Sequence, residues 1–143
     1  MPENIIKSAG QIATQYLKGA GTEDVKILAS FFAYDGVFEI PYAKSLGIDI
    51  RKQGPDEIAE YSRGVFSGAS KFHFINIRIV LGNETTAVVE YETDFILDNG
   101  QPYKQHLIGI FITENGKIKL FKEFLNTVVA AKAFLPDGIK TLI

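Results

Sequence analysis

The chain has 143 residues, 46% of them hydrophobic and 22% charged, with a formal net charge of -2. Those values fit one globular domain spanning residues 1–143 with a substantial core. No nucleic-acid partner is expected, because Lys and Arg do not cluster beyond the short stretch Ile50-Arg51-Lys52-Gln53. The lack of cysteine excludes disulfides, thiol nucleophiles and Cys-ligated zinc. Met1–Gln15 has no apolar block of signal-peptide type, and the longest greasy run, Leu107–Ile112, is too short to span a bilayer. A cytoplasmic protein with no membrane partner is expected.

In chain order, Ile5, Ala9, Ile12, Ala13, Tyr16 and Leu17 recur on one face of a helix that stops at the Gly19–Gly21 punctuation. Thr22 is expected to cap a second helix, with Glu23 and Asp24 against its N-terminal dipole and Val25, Leu28, Ala29 and Phe32 as its buried stripe. Short strands are expected near Val37–Ile40 and Ile48–Lys52. Pro55 opens a third helix, followed by Asp56 and Glu57, with Ile58, Tyr61, Ser62 and Val65 on its inner face.

From Phe72 the period changes to two. Phe72–Leu81 and Glu84–Leu97 flank Gly82-Asn83, while Tyr103–Thr113 and Lys117–Asn126 flank Asn115-Gly116; both dipeptides suit tight hairpins. Thr127–Leu135 fits either a strand or a helix. Helices first and long strands afterwards predict an α+β fold, with three N-terminal helices against one face of a bent sheet.

Two-residue turns would set the registers. Glu123 would then face Ile108, with His106 diagonal to it on the same face. Tyr91 would face Phe74, and Val89 would face Asn76. Ile75, Ile77 and Ile79 would share the opposite face with Val88, Glu90 and Glu92. A sheet apolar on both sides needs two covers, so a homodimer built on the Ile75, Ile77 and Ile79 face is expected.

The chain resembles the nuclear transport factor 2-like superfamily, and within it the SnoaL-like polyketide cyclases and phenazine-biosynthesis A/B-type proteins. Phe31–Tyr42 (FFAYDGVFEIPY), Gly54–Tyr61 (GPDEIAEY), His106–Phe111 (HLIGIF), Asn115–Ile118 (NGKI) and Lys122–Asn126 (KEFLN) carry the likeness over nearly the whole length. The resemblance implies a single SnoaL-like domain with a cone-shaped, curved, mixed but mainly antiparallel sheet. The scaffold hosts many chemistries, so it implies fold more strongly than reaction.

Departures narrow the field. Where the family's steroid isomerases carry a general-base Asp this chain has Ile40, and where they carry an oxyanion-hole Asp it has Ile108; Tyr16 matches their hydrogen-bonding Tyr. Of the acids that limonene-type epoxide hydrolases use, Glu123 matches one by position and Asp94 is the candidate for the other, but their Arg is replaced by Glu92 or a neighbour. The phenazine-type pattern places a proposed acid–base Glu at Glu123.

Read from the residues, Glu123 follows Phe121 at period two and so should point inward, where apolar walls raise a carboxyl's pKa toward neutrality. The alternative is an exposed Glu paired with Lys119 or Lys104. His106 would assist as a relay, or else sit at the barrel mouth bonded to backbone or water. Tyr16, Tyr61, Asn76 and Tyr91 would supply hydrogen bonds or simply fill walls. Phe38, Ile40, Phe72, Phe74, Val89, Ile110 and Phe121 would form an apolar lining, with Ile108 beside it. His73 is assigned to the outer face opposite Glu92. With two histidines in all, no metal site is expected.

The leading expectation is an enzyme doing acid–base chemistry on a small apolar or cyclic molecule, as an isomerase, cyclase or dehydratase that requires no cofactor. The alternatives are a non-catalytic binding protein for such a ligand and a protein-interaction module using the outer sheet face.

Overall fold

The computed structural model describes residues 6–138 of the chain. Its elements are α1 (Ala9–Gly19), α2 (Val25–Ala29), β1 (Phe32–Ile40), a 3-10 helix (Pro41–Leu46), β2 (Ile50–Gln53), α3 (Pro55–Ser67), β3 (Ile75–Gly82), β4 (Thr86–Ile96), β5 (Pro102–Glu114), β6 (Lys117–Leu125) and α4 (Thr127–Phe134). The fold is α+β, as expected. No helix among the described residues is long and apolar enough to cross a membrane.

The local signals explain most of these boundaries. Ser8 and Gln11 form a reciprocal capping box at the start of α1, each side chain accepting the other's backbone N–H. The second helix starts later than the sequence suggests. Its cap is Asp24, whose Oδ1 accepts the Lys26 N–H at 2.7 Å, whereas the Thr22 hydroxyl donates back to Gly19 O. Phe32 accordingly belongs to β1, not to the helical stripe. Thr127–Leu135, which the pattern left open, is helical up to Phe134, capped by the Asn126 side chain accepting from Val128 and Val129. Ile5 lies outside the described residues.

The six strands run in the order β2-β1-β6-β5-β4-β3; β1 and β6 are parallel and every other pair is antiparallel. Ala87, Val89, Tyr91, Phe111, Ile118 and Phe121 form the buried face and pack against Ala9, Ile12, Ala13, Tyr16 and Leu17 of α1. Burial of this apolar surface, not helix propensity, holds the short helices in place.

Both long hairpins depart from simple two-residue registers. The β3–β4 turn lies at Glu84-Thr85, with Asn83 accepting the Thr85 and Thr86 amides. Asn76 takes a left-handed φ of 54° in a bulge, so β3 changes faces along its length. Ile75 opposes Glu92 on the outer face, but Ile77 and Ile79 turn inward, with Ile79 packed over Gly10 of α1. The expected dimer face of Ile75, Ile77 and Ile79 therefore does not exist as one surface. His73 precedes β3 and bonds Lys71 O instead of facing Glu92.

In the β5–β6 hairpin the turn is as expected: Asn115 and Gly116 have φ of 51° and 77°, and Glu114 faces Lys117. Beyond it, Thr113 opposes Ile118 but Ile112 opposes Leu120, which leaves Lys119 as an extra residue. The neighbouring β1 also bulges here, and Lys119 Nζ reaches from one irregularity to the other to pair with Asp35 at 2.8 Å. The slip puts Glu123 opposite Gly109, not Ile108, and turns it to the buried face.

Gln105 of β5 fastens the last helix. Its Nε2 donates to Asn126 O at 3.0 Å and to the Tyr103 hydroxyl, while its Oε1 accepts from the Asn126 and His106 amides. Gln105 is buried. Gln105→Met should cost about 2–4 kcal/mol, because it orphans backbone groups at the α4 cap. Lower urea midpoints and faster hydrogen exchange of the Val129–Ala131 amides would report that loss.

Candidate active site: a buried carboxyl among tyrosines

An internal cavity of about 470 Å³ lies between the buried sheet face, α1, α3, the 3-10 helix and α4. Its size is that of an ordinary small-molecule site. Of the residues expected to form the site, Tyr16, Phe38, Ile40, Tyr61, Phe72, Phe74, Phe121 and Glu123 line it. Val89 and Tyr91 are fully buried on the same sheet face but belong to the core behind the wall.

The remaining expectations are corrected. His106 lies on the outer face, where its ring contacts Glu90 at 3.3 Å, and its side chain is 62% exposed. Ile108 and Ile110 share that face, with Ile108 well exposed, and the exposed Asn76 side chain reaches toward Glu92. One cause accounts for the first three. Strand side chains alternate, so the extra residue at Lys119 separates the parity of β6 from that of β5. Asn76 is displaced by its own bulge. Asp94 and Glu92 also occupy the outer face of β4, so neither joins Glu123 in an epoxide-hydrolase arrangement.

Glu123 is 8% exposed. The Tyr91 hydroxyl donates to its Oε2 at 2.7 Å. Among the described residues no donor reaches the other oxygen, and no buried side-chain polar atom lacks a partner. Oε1 must therefore open onto the cavity that Glu123 lines. Burial pushes the carboxyl from its ordinary 4.5 up to about 7, against the downward pull of the Tyr91 hydrogen bond.

Its surroundings are phenolic. Tyr16 of α1, Tyr61 of α3, Tyr91 of β4 and Tyr103 of β5 are all pushed well above the usual tyrosine range, first by burial and then, for Tyr16, Tyr61 and Tyr91, by the nearby Glu123 charge. These hydroxyls remain neutral donors across physiological pH. Tyr16 is held edge-on by Phe31, Phe32, Phe111 and Phe121, at ring separations of 5.9, 5.6, 6.5 and 5.7 Å. Ser62 of α3 faces its hydroxyl. Sequence reasoning missed Tyr103, although period two along β5 places it with Leu107 and Phe111; it also missed Ala130, Phe134 and Leu135, through which α4 closes the cavity.

The site opposes stability. Folded Glu123 keeps its proton to about pH 7, whereas the unfolded chain releases it near 4.5. Between those values the folded state binds more protons, so stability falls as pH rises, and above 7 the whole penalty of roughly 3 kcal/mol persists. Glu123→Gln should therefore stabilise the protein at pH 8, leave it nearly unchanged at pH 4, and remove this part of the slope. Urea unfolding at the two pH values measures the difference.

Comparison with known proteins places this architecture. A SnoaL-like domain model matches residues 13–121, ending two residues before Glu123. The uncharacterized protein YesE of Bacillus subtilis is 25% identical over 121 residues, covering 83% of this chain and 82% of that one. A Bacillus subtilis structure provisionally named an isomerase superposes with a TM-score of 0.77 at 23% identity, covering 88% of this chain and 91% of the other. A phenazine biosynthesis-related protein from Pseudomonas aeruginosa gives 0.71 at 21% identity, with 87% and 83% covered. The fold is the nuclear transport factor 2-like one. With most of its length matched by the family model, the chain belongs to the SnoaL-like domain family.

Proposed function

We propose that this protein is a cofactor-independent enzyme that moves a proton on a small, uncharged, largely apolar molecule, with Glu123 as the acid–base group. The observation that carries this reading is the buried carboxyl that lines the cavity with one oxygen fixed by Tyr91. A group that titrates near 7 is available both as base and as acid at neutral pH, which is where proton transfer is most efficient. Glu123 would take a proton from the substrate through Oε1 and return it to a second position. Tyr16 and Tyr61 would donate to the oxygen on which charge develops.

The walls support an uncharged substrate. They are almost wholly apolar, and no Lys, Arg or His lines the cavity among the described residues, so an anion would find no partner. Isomerisation, cyclisation and dehydration all fit a single acid–base group with neutral donors beside it. The isomerase and phenazine-biosynthesis names borne by fold relatives agree with this class of chemistry at the level of the scaffold.

Incubating the protein with uncharged cyclic ketones and lactones in deuterated water, and following exchange by proton NMR, tests the proposal. kcat/KM should rise with pH through about 7. Glu123→Gln should lower turnover by about 10²–10⁴-fold, and Tyr16→Phe by about 10²-fold or more. Turnover indifferent to Glu123→Gln would defeat the catalytic reading. Tight retention of such a compound without exchange would favour the binding-protein alternative.

We also propose a homodimer, now through the outer face of β5 and β6. Ile108 and Ile112 are 42% and 39% exposed there, beside half-buried Ile110, Leu120 and Phe124. Ile108→Glu should leave a monomer by light scattering at micromolar concentration. A wild-type monomer under those conditions would refute the assembly and would leave the pocket unaffected.

A further inference from the structure

Gly109 occupies an unusual place. It sits in the middle of β5, directly between Val89 of β4 and Glu123 of β6, on the buried face. Glycine weakens a strand interior, and its φ here is not in the left-handed region, so backbone conformation does not require it. Space does. A Cβ at this position would lie 2.9 Å from the Tyr91 hydroxyl oxygen, 2.9 Å from Phe121 Cε1 and 3.0 Å from Phe111 Cε1. Carbon contacts that short demand displacement, and two of the three neighbours are rings stacked on each other at 4.0 Å.

The register explains why the gap matters. Tyr91 stands opposite Leu107, not opposite Gly109, so its hydroxyl must cross diagonally over β5 to reach Glu123 on the far strand. Its path passes over the missing side chain of Gly109.

We propose that Gly109 is a positioning residue: by leaving its Cβ site empty it lets the Tyr91 hydroxyl reach Oε2 of Glu123 and so leaves the carboxyl's other oxygen aimed at the cavity. This deepens the reading of Glu123 as the proton-transferring group, but it concerns the geometry of the pair and can be tested without any substrate. The titratable groups around the carboxyl are the phenols of Tyr16, Tyr61, Tyr91 and Tyr103, with Glu60 also on the cavity wall and no cation there among the described residues. Loss of the Tyr91 donor therefore removes the one hydrogen bond that Glu123 accepts among the described residues.

The experiment is a carboxyl titration by carbon-13 NMR on glutamate-labelled protein, for wild type, Gly109→Ala, Tyr91→Phe and the double variant, with Glu123→Gln identifying the resonance. Gly109→Ala should raise the Glu123 midpoint by about one pH unit, as loss of one hydrogen bond to the charged form predicts. Tyr91→Phe should raise it similarly. The double variant should titrate like Tyr91→Phe alone, because the obstructed donor is already gone. A Gly109→Ala protein whose midpoint equals wild type overturns the proposal, whatever its stability. Should Gly109→Ala fail to fold, Tyr91→Phe alone carries the test, and a Tyr91→Phe midpoint equal to wild type overturns the proposal. None of these outcomes depends on turnover, so the proposal and the catalytic reading can fail separately.

Discussion

The extra residue at Lys119 decides what this protein carries inside. A strand's side chains alternate, so one additional residue exchanges its two faces for everything beyond it. With the bulge, Ile118 and Phe121 both face the core although they are an odd number apart, and Glu123 follows Phe121 inward. Without it, Glu123 would share the exposed face with Ile108 and His106. The Asp35–Lys119 ion pair ties this irregularity to the one in β1. That pair is too exposed to contribute much stability by itself, but it bridges the two irregularities.

Once Glu123 is inside, the rest of the site follows from the cost of desolvating a carboxyl. Glu123 has a single protein hydrogen bond and no counter-ion within the cavity wall among the described residues. Folding therefore favours the protonated form, against the charge that the carboxyl carries in water at neutral pH. Such a local violation of core rules is the kind expected at functional sites. The same arrangement keeps four phenols neutral around the acid. Distal to it, α4 closes the cavity, held at its first turn by the buried amide of Gln105.

Much of the fold was legible because local chemistry and global packing agree. Pro55 and Asn115-Gly116 each signal a boundary through φ preference, and the structure uses both. The second helix is the exception: Thr22, Glu23 and Asp24 can each begin a turn, and the contact of Leu28 and Ala29 with the core selects Asp24. The β3–β4 hairpin misleads for a related reason. Gly82-Asn83 is a good turn, but Asn83 does more by accepting two amides from a turn two residues later.

The candidate site divides along the same line. Sequence alone determined the α+β class, the inward stripe of α1 with Tyr16, the alternation that pairs Glu123 with Phe121, and the apolar character of the walls, because each depends only on neighbours a few residues away. Tertiary structure decided which of two histidines and several carboxylates accompany Glu123. Neither histidine does; Glu60 of α3, exposed and paired with Arg63, lines the same cavity, and phenols surround Glu123 itself. Cross-strand partners are set by bulges, and a bulge forms where packing of distant rings outweighs one lost ladder position. That balance of energies belongs to the assembled sheet, and no local pattern in the chain encodes it.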